Sequence, residues 1–222
     1  MRRRLYLMRH AAVSYVDDAG RPVKPEAVPL TAAGRAQALA AQRALAGVVL
    51  DLVVTSDLPR TAETAAIVAP GHELERWPEL AEWRGGRLDA IPPEELEAQF
   101  VGALRVVDES DRFLGGESLG EALDRVHPAI LRLVERPWHT ALAVLHGGVN
   151  RIVLSYALTG GERRYFGAFE QAPACINVID LGEADWIVRT VNYIPYDPLH
   201  PARETTMEEY WADLQGWRGT GA

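Results

Sequence analysis

The sequence is poor in cysteine, with Cys175 as its only example in 222 residues. A single thiol forms no intramolecular disulfide, and with no second sulfur it offers neither a zinc motif nor a dithiol redox motif. Cys175 lies in the apolar run ACINVID, where we expect a small core residue. Disulfide-stabilised and dithiol-redox proteins are therefore excluded.

Net positive charge is also lacking. The chain carries 31 acidic and 23 basic residues, for a formal net charge of -8, and its isoelectric point is near 5.3. This balance argues against a nucleic-acid partner and against a polybasic membrane anchor. An anionic substrate would therefore need a local pocket of positive charge.

Long apolar runs are absent as well. No stretch approaches the roughly 18 apolar residues of a membrane-spanning helix. Arg2, Arg3 and Arg4 resemble the start of a signal peptide, but only four residues separate them from Arg9. We therefore expect a soluble, cytoplasmic protein with no membrane partner.

The order of the predicted elements is typical of one α/β domain. Neither an internal repeat nor a low-complexity linker divides residues 1–222, and 48% of them are hydrophobic, which suits one large core. Apolar periodicity predicts strands at 5–8, 49–55, 140–146, 174–181 and 185–194. It predicts helices at 31–45, 58–68, 118–135 and 149–158, with Thr31 as the cap of the first.

Two segments stand outside this alternation. Residues 77–116 hold one predicted helix, from about Pro93, in otherwise irregular polar sequence, and we expect them to form a lid. Residues 203–217 form a predicted helical tail whose aromatic side chains would dock on the same chain or on a second subunit of a homodimer. These aromatic residues are Tyr210, Trp211 and Trp217.

Polar residues follow three of the predicted strands. The strand endings are LYLM before Arg9-His10, VVT before Ser56 and Arg60, and ALAVL before His146-Gly147-Gly148. Because parallel strands joined by crossovers place their carboxyl ends at one sheet edge, we expect these groups to converge. Arginine and histidine together suit a phosphate, which glycine amides and a helix amino end would also approach. The alternative is that Arg9 and His10 simply begin a polar loop. It becomes a weaker explanation because the same kind of ending follows three strands.

Five segments in this order resemble the motifs of one family, the histidine phosphatases or phosphoglycerate mutase-like superfamily. They are LMRH at 7–10, SDLPRTAETA at 56–65, LAE at 80–82, GES at 116–118 and HGG at 146–148. The resemblance covers nearly the whole chain. It implies a three-layer α/β sandwich around a mostly parallel sheet, and hydrolysis of a small-molecule phosphate monoester.

The resemblance also implies roles for single residues. His10 would be the nucleophile that becomes phosphorylated, and Arg9, Arg60 and His146 would bind the phosphoryl oxygens. Glu82 would protonate the leaving oxygen and later activate water.

Further assignments are less specific. Glu79 is the nearest rival of Glu82, and Ser56 either adds a hydroxyl to the substrate pocket beside Gly147 or caps a helix. Phosphoryl transfer of this kind needs no metal and no cofactor, so none is expected.

The first loop departs from the family pattern. Ala11, Ala12 and Val13 replace the usual glycine, glutamate and threonine, and Asp17 stands where many members have asparagine. We expect residues 14–29 and the lid to select the substrate, with Trp83 and Phe113 either contacting its organic part or packing in the core.

Two other functions stay open. The stretch after Glu82 lacks the tyrosine- and glycine-rich sequence and the arginine-dense insert of the mutase branch, which favours a hydrolase over phosphoglycerate mutase-type transfer. A non-catalytic phosphate-binding relative is the second alternative, although His10 and the clamp residues are present.

One motif matches the pattern of a different enzyme class but lacks its structural context. Residues 116–120, GESLG, match the G-x-S-x-G pattern of serine esterases, but the charged sequence before them lacks the required strand. Ser118 is therefore predicted to cap the following helix. His72, His127, His139 and His200 lack a strand-end context, and ordinary surface or packing roles are expected, with closure over the pocket as an alternative for His200.

Overall fold

The first strand of the chain lies inside a six-stranded sheet, where its apolar side chains are covered on both faces. The computed structural model describes residues 1–15, 23–102 and 108–219. The strands are β1 (Arg3–Arg9), β2 (Leu52–Thr55), β3 (Leu74–Arg76), β4 (Thr140–Leu145), β5 (Ile176–Leu181) and β6 (Trp186–Tyr193). Their order in the sheet is β3-β2-β4-β1-β5-β6.

The sheet is mostly parallel, as predicted. β1 pairs with β4 in parallel, β4 with β2, and β2 with β3, while β5 is antiparallel to both β1 and β6. Leu5 and Leu7 of β1 are fully buried. The short edge strand β3 was not predicted, because LER is charged and too short to show a strand pattern.

Helices cover both faces of the sheet, which confirms the three-layer architecture. They are α1 (Ala32–Ala44), α2 (Pro59–Val68), α3 (Pro93–Gly102), α4 (Leu119–Val134), α5 (Gly147–Thr159) and α6 (Thr206–Gly219). One core lies between the sheet and α1 and α2, and the other lies between the sheet and α4 and α5. Cys175 is fully buried, and burial raises the pKa of its thiol to about 12.

The loop after β1 is fixed by its neighbours. The Ala11 amide donates to Thr64 Oγ1 at 3.1 Å and the Ala12 amide to Gln37 Oε1 at 2.9 Å. A Cβ at Gly34 would lie 2.2 Å from the carbonyl oxygen of Ala12, so α1 approaches this loop only because position 34 is glycine. The residues beside His10 are therefore held by α1 and α2.

Ser118 caps α4 as predicted. Its hydroxyl accepts the Glu121 amide at 3.1 Å, and the Glu121 carboxylate accepts the Ser118 amide at 2.8 Å, which forms a capping box. A short 3₁₀ helix, Phe113–Gly115, precedes it where a serine esterase has a strand. The esterase interpretation is therefore wrong.

The segment 77–116 packs on the domain. Trp83 is buried, stacks on Phe113 with ring centroids 5.3 Å apart, and donates from Nε1 to the Glu117 carbonyl at 2.9 Å. Both aromatic rings serve packing. Residues 103–107 of the predicted lid lie outside the described residues.

The carboxyl-terminal helix α6 packs on the same chain. Trp211 lies against Phe100 of α3 with ring centroids 6.0 Å apart. The side chain of Trp217 is outside the described part of the chain. No helix among the described residues is long and apolar enough to cross a membrane.

Candidate active site

Three neighbouring parallel strands deliver the predicted site residues to one edge of the sheet. Arg9 ends β1 and pairs in register with Leu145 of β4, so His10 and His146 emerge side by side. Their ring centroids lie 5.2 Å apart. The first turn of α2, which follows β2, brings Arg60 to the same place. The convergence predicted from the crossovers is therefore observed.

His10 is held in a single tautomer. Its Nδ1 lies 2.8 Å from the carbonyl oxygen of Ala11, which can only accept a hydrogen bond, so Nδ1 carries the proton and Nε2 carries the lone pair. The ring is 2% exposed. Burial, and then the charges of Arg60 and Arg9, hold the pKa of His10 well below its usual range. Its imidazole is therefore neutral at neutral pH.

Arg60 spans the site between the first loop and His10. Its Nε donates to His10 Nε2 at 3.3 Å, and its Nη1 donates to the carbonyl oxygen of Pro25 at 2.7 Å. The side chain is 2% exposed. A guanidinium with so little water around it interacts strongly with any anion bound beside His10.

His146 is buried and oriented by Ser56. Its Nε2 lies 2.8 Å from Ser56 Oγ, while its Nδ1 has no hydrogen-bond partner among the described residues. Burial, and then the charge of Arg60, hold the pKa of His146 well below its usual range. If the Ser56 hydroxyl donates to Nε2, the ring proton lies on Nδ1, and a neutral His146 then offers one N–H to an anion.

Ser56 does not cap α2 with its side chain. The N-cap residue of that helix is Leu58, whose amide donates to Ser56 Oγ at 3.2 Å. The serine hydroxyl also lies 3.0 Å from Thr61 Oγ1. Ser56 therefore contacts the cluster of candidate residues through His146.

The Glu82 carboxylate sits on the amino end of α5. Its Oε1 accepts the amide of Trp83 at 2.9 Å and the amide of Gly148 at 3.1 Å. A Cβ at position 148 would lie 2.7 Å from this oxygen, so the contact requires glycine. The Gly148 amide thus binds the Glu82 carboxylate, whereas the sequence suggested that it would bind a substrate anion. Helix α5 begins at Gly147, two residues earlier than expected.

The GES motif positions the segment that carries Glu82. Glu117 forms a partly buried ion pair with Arg125 at 2.7 Å. The same guanidinium donates to the carbonyl oxygens of Ala81 at 2.7 Å and Glu82 at 3.1 Å. Glu79 instead pairs with Arg132 at the surface, at 2.9 Å.

Arg9 is almost fully buried, at 5% exposure, and contacts α6. Its Nη2 donates to the Tyr210 hydroxyl at 3.1 Å, and Tyr15 lies against Tyr210 with ring centroids 5.3 Å apart. Burial raises the pKa of Tyr15 to about 12, so its phenol stays neutral. Sequence reasoning missed Tyr15 and noted Tyr210 only as a docking aromatic.

Other candidate residues lie outside this cluster. His72, His139 and His200 are exposed, and His127 packs on Tyr156 with ring centroids 4.9 Å apart. Asp17 is outside the described residues. Within the described ranges no group of three or more His, Cys, Asp or Glu side chains could hold a metal ion.

This fold and this cluster of buried histidine and arginine define the class of protein. The model of the histidine phosphatase superfamily (branch 1) matches residues 5–194. The chain belongs to this superfamily, and its enzyme class is that of the phosphoric monoester hydrolases.

Similar proteins include both phosphatases and mutases. A Salmonella paratyphi A protein named "Probable phosphoglycerate mutase GpmB" is 30% identical over 193 residues, covering 82% of this chain and 87% of that protein. The structure of the alpha-ribazole phosphatase from Shigella flexneri is 26% identical, with a TM-score of 0.61 and coverage of 85% and 96%. The mycobacterial glucosyl-3-phosphoglycerate phosphatase in complex with VO3 is 26% identical, with a TM-score of 0.65 and coverage of 86% and 98%.

Proposed function

We propose that this protein hydrolyses the phosphate monoester of a small molecule through a phosphohistidine at His10. The observation that carries the proposal is the state of the His10 ring. Its Nδ1 proton is fixed on the Ala11 carbonyl, and its Nε2 lone pair faces Arg60 in a buried cluster with Arg9 and His146. A neutral imidazole whose Nε2 is unprotonated, beside the guanidinium groups that would bind phosphate, is suited to attack a phosphoryl group.

The first half-reaction forms the phosphoenzyme. His10 Nε2 attacks phosphorus, the bond from phosphorus to the ester oxygen breaks, and Glu82 in its acid form gives the leaving oxygen a proton. Arg9, Arg60 and the Nδ1–H of His146 stabilise the charge on the other phosphoryl oxygens. The amino end of α5 at Gly147 adds its dipole to this clamp.

The second half-reaction restores the enzyme. The Glu82 carboxylate takes a proton from water as the water oxygen attacks phosphorus, and the nitrogen–phosphorus bond breaks. Inorganic phosphate leaves, His10 regains its lone pair, and Glu82 is again an acid. No metal ion takes part in either step.

Transfer to a second substrate hydroxyl, the mutase reaction, is the alternative. It is favoured by the name of the Salmonella relative. The two solved phosphatases favour water as acceptor, as does the absence of mutase-type sequence after Glu82. Both reactions share the first half and differ only in what attacks the phosphohistidine.

The test is a metal-free assay on a panel of phosphate monoesters, with p-nitrophenyl phosphate, ribose phosphates, glycosylated phosphoglycerate and 3-phosphoglycerate. We expect turnover that resists EDTA and is inhibited by vanadate. A radiolabelled substrate should give a phosphoenzyme that is stable to alkali and labile to acid. Dependence on added metal, or an acid-stable label, would refute the proposal. Isomerised phosphoglycerate without free phosphate would establish the mutase alternative.

Three sequence-based expectations accompany this proposal as predictions. We propose that residues 14–29 and the lid segment 77–116 select the organic part of the substrate. The second prediction is that the protein forms a homodimer, and the third is that it is located in the cytoplasm.

The acid limb of the activity profile should depend on Arg60. Burial is the largest cause of the lowered pKa of His10, and the positive charge of Arg60 is the second. Since protonated His10 cannot attack, kcat/KM falls as the pH drops through this pKa. In Arg60→Gln the pKa rises, and we expect the fall to begin at a higher pH than in the wild type.

The measurement is kcat/KM for p-nitrophenyl phosphate between pH 4 and 8. Ionisation of the substrate affects all variants equally, so the difference between profiles reports the enzyme. Arg43→Gln, on the exposed face of α1, is the matched control and should keep the wild-type profile. An unchanged acid limb in Arg60→Gln would show that another group controls it.

A further inference from the structure

The carboxyl-terminal helix reaches the candidate site from the far end of the chain. Thr206 and Tyr210 lie one turn apart at the start of α6, and both hydroxyls contact the guanidinium of Arg9. Thr206 is buried, at 9% exposure. The family motifs quoted above end at residue 148, so they leave these contacts unexplained.

The terminal nitrogens of Arg9 are bound by other parts of the protein, whereas its Nε is not. Nη1 donates to the Gln171 carbonyl and to Thr206 Oγ1 at 3.0 Å, and Nη2 donates to the Tyr210 hydroxyl at 3.1 Å. Nε is buried and has no partner among the described residues. It lies 3.6 Å from the position that a Cβ would take on Gly147, the first residue of α5. The unpaired N–H therefore lies beside the amino end of that helix.

Further contacts hold the two hydroxyls in place. Thr206 Oγ1 donates its own hydrogen to Glu170 Oε1 at 3.0 Å, so its lone pairs are available to Arg9. Glu170 also pairs with Arg151 at 3.6 Å. The Tyr210 ring packs on Tyr15, which keeps its hydroxyl at the guanidinium.

We propose that Thr206 and Tyr210 are positioning residues for phosphoryl transfer. They bind both terminal nitrogens of Arg9, so that its Nε–H faces the phosphoryl oxygens at the amino end of α5. The inference rests on the proposed function, because it assigns the bound group as phosphate. A buried donor that lacks a partner is unfavourable, and an arginine already fixed in place loses less freedom when an anion binds.

The test uses substitutions that keep shape and remove only the hydroxyl groups, Thr206→Val and Tyr210→Phe, singly and together. Each removes an acceptor from a charged donor, and we expect the double variant to lose roughly tenfold or more in kcat/KM. The dissociation constant of orthovanadate, measured by calorimetry, should rise by a similar factor. Tyr193→Phe, at an exposed tyrosine of β6, is the matched control and should change neither quantity.

Dependence on Arg9 separates positioning from general structural support. In an Arg9→Ala background the double substitution should have no further effect on either quantity, and Arg9→Met, which keeps the apolar stem without donors, serves the same purpose if the alanine variant does not fold. An equal loss with and without Arg9 would overturn the proposal. So would tighter vanadate binding by Tyr210→Phe, since the phenol would then compete with the anion. Vanadate binding is independent of turnover, so failure of the hydrolase proposal would be seen separately.

Discussion

Replacing His10 by alanine is expected to lower kcat/KM by roughly 10³- to 10⁶-fold, the range seen when a covalent nucleophile is removed. The loss should appear with activated and unactivated esters alike, because both need the same attacking nitrogen. Incorporation of label into the protein should disappear as well. The measurements are steady-state kinetics on p-nitrophenyl phosphate and trapping of the phosphoenzyme.

The neighbouring His146 is a poorer nucleophile for a geometric reason. Its Nε2 is occupied by Ser56 Oγ at 2.8 Å, and when that hydroxyl donates, the ring proton lies on Nδ1. Neither nitrogen then offers a free lone pair to phosphorus. In His10 the Ala11 carbonyl holds the proton at 2.8 Å, and the Nε2 lone pair accepts only the longer contact from Arg60 Nε at 3.3 Å.

The control for this substitution is His72→Ala, at an exposed histidine that precedes the amino end of β3, which should keep wild-type activity. Because His10 is buried, His10→Asn and a thermal melt would show whether loss of activity reflects unfolding. Substantial turnover in folded His10→Ala, or label transferred to His146, would contradict the assignment.

The convergence of the candidate site residues could be predicted from the sequence because it follows from chain direction. Three apolar strands are separated by helices, and right-handed crossovers make such strands parallel. The residues after them, Arg9-His10, Ser56 and His146, must then share an edge. The structure adds that β1, β4 and β2 are direct neighbours, which places the two histidines in contact.

The partners of these groups could not be predicted, because they depend on contacts without a local pattern. Arg9 and Tyr210 are 201 positions apart, and helical periodicity describes only the face of a helix, not what it meets. Gly148 looked like an anion-binding amide, as glycines at a helix start often are. Its actual partner, Glu82, lies 66 residues earlier, in the loop that follows the 3₁₀ turn Pro78–Leu80.

Substitution of Glu82 by glutamine is expected to separate two classes of substrate. For alkyl phosphates, whose leaving oxygen needs a proton, kcat/KM should fall by roughly 10²- to 10⁴-fold. For p-nitrophenyl phosphate, whose leaving group is stable as an anion, kcat/KM should change little, because this constant reports steps only up to loss of the leaving group.

The geometry makes glutamine a clean replacement. The two shorter contacts of Glu82, from the amides of Trp83 and Gly148, are accepted by Oε1, and a carboxamide oxygen accepts the same two hydrogen bonds. Only the longer branch from the Gly148 amide to Oε2, at 3.3 Å, is lost. The side chain should therefore stay in place while losing its acid and base functions. Loss of the base slows attack of water on phospho-His10, so we expect a burst of p-nitrophenolate followed by slow turnover and accumulated phosphoenzyme.

The matched control is Glu79→Gln, three residues earlier, at the exposed carboxylate that pairs with Arg132. It should leave both substrates and the burst unchanged. Equal losses on alkyl and p-nitrophenyl esters in Glu82→Gln would show that Glu82 only shapes the pocket. The reverse result, selectivity in Glu79→Gln alone, would transfer the acid role to that residue, which the surface ion pair and the Glu82–Gly148 contact oppose.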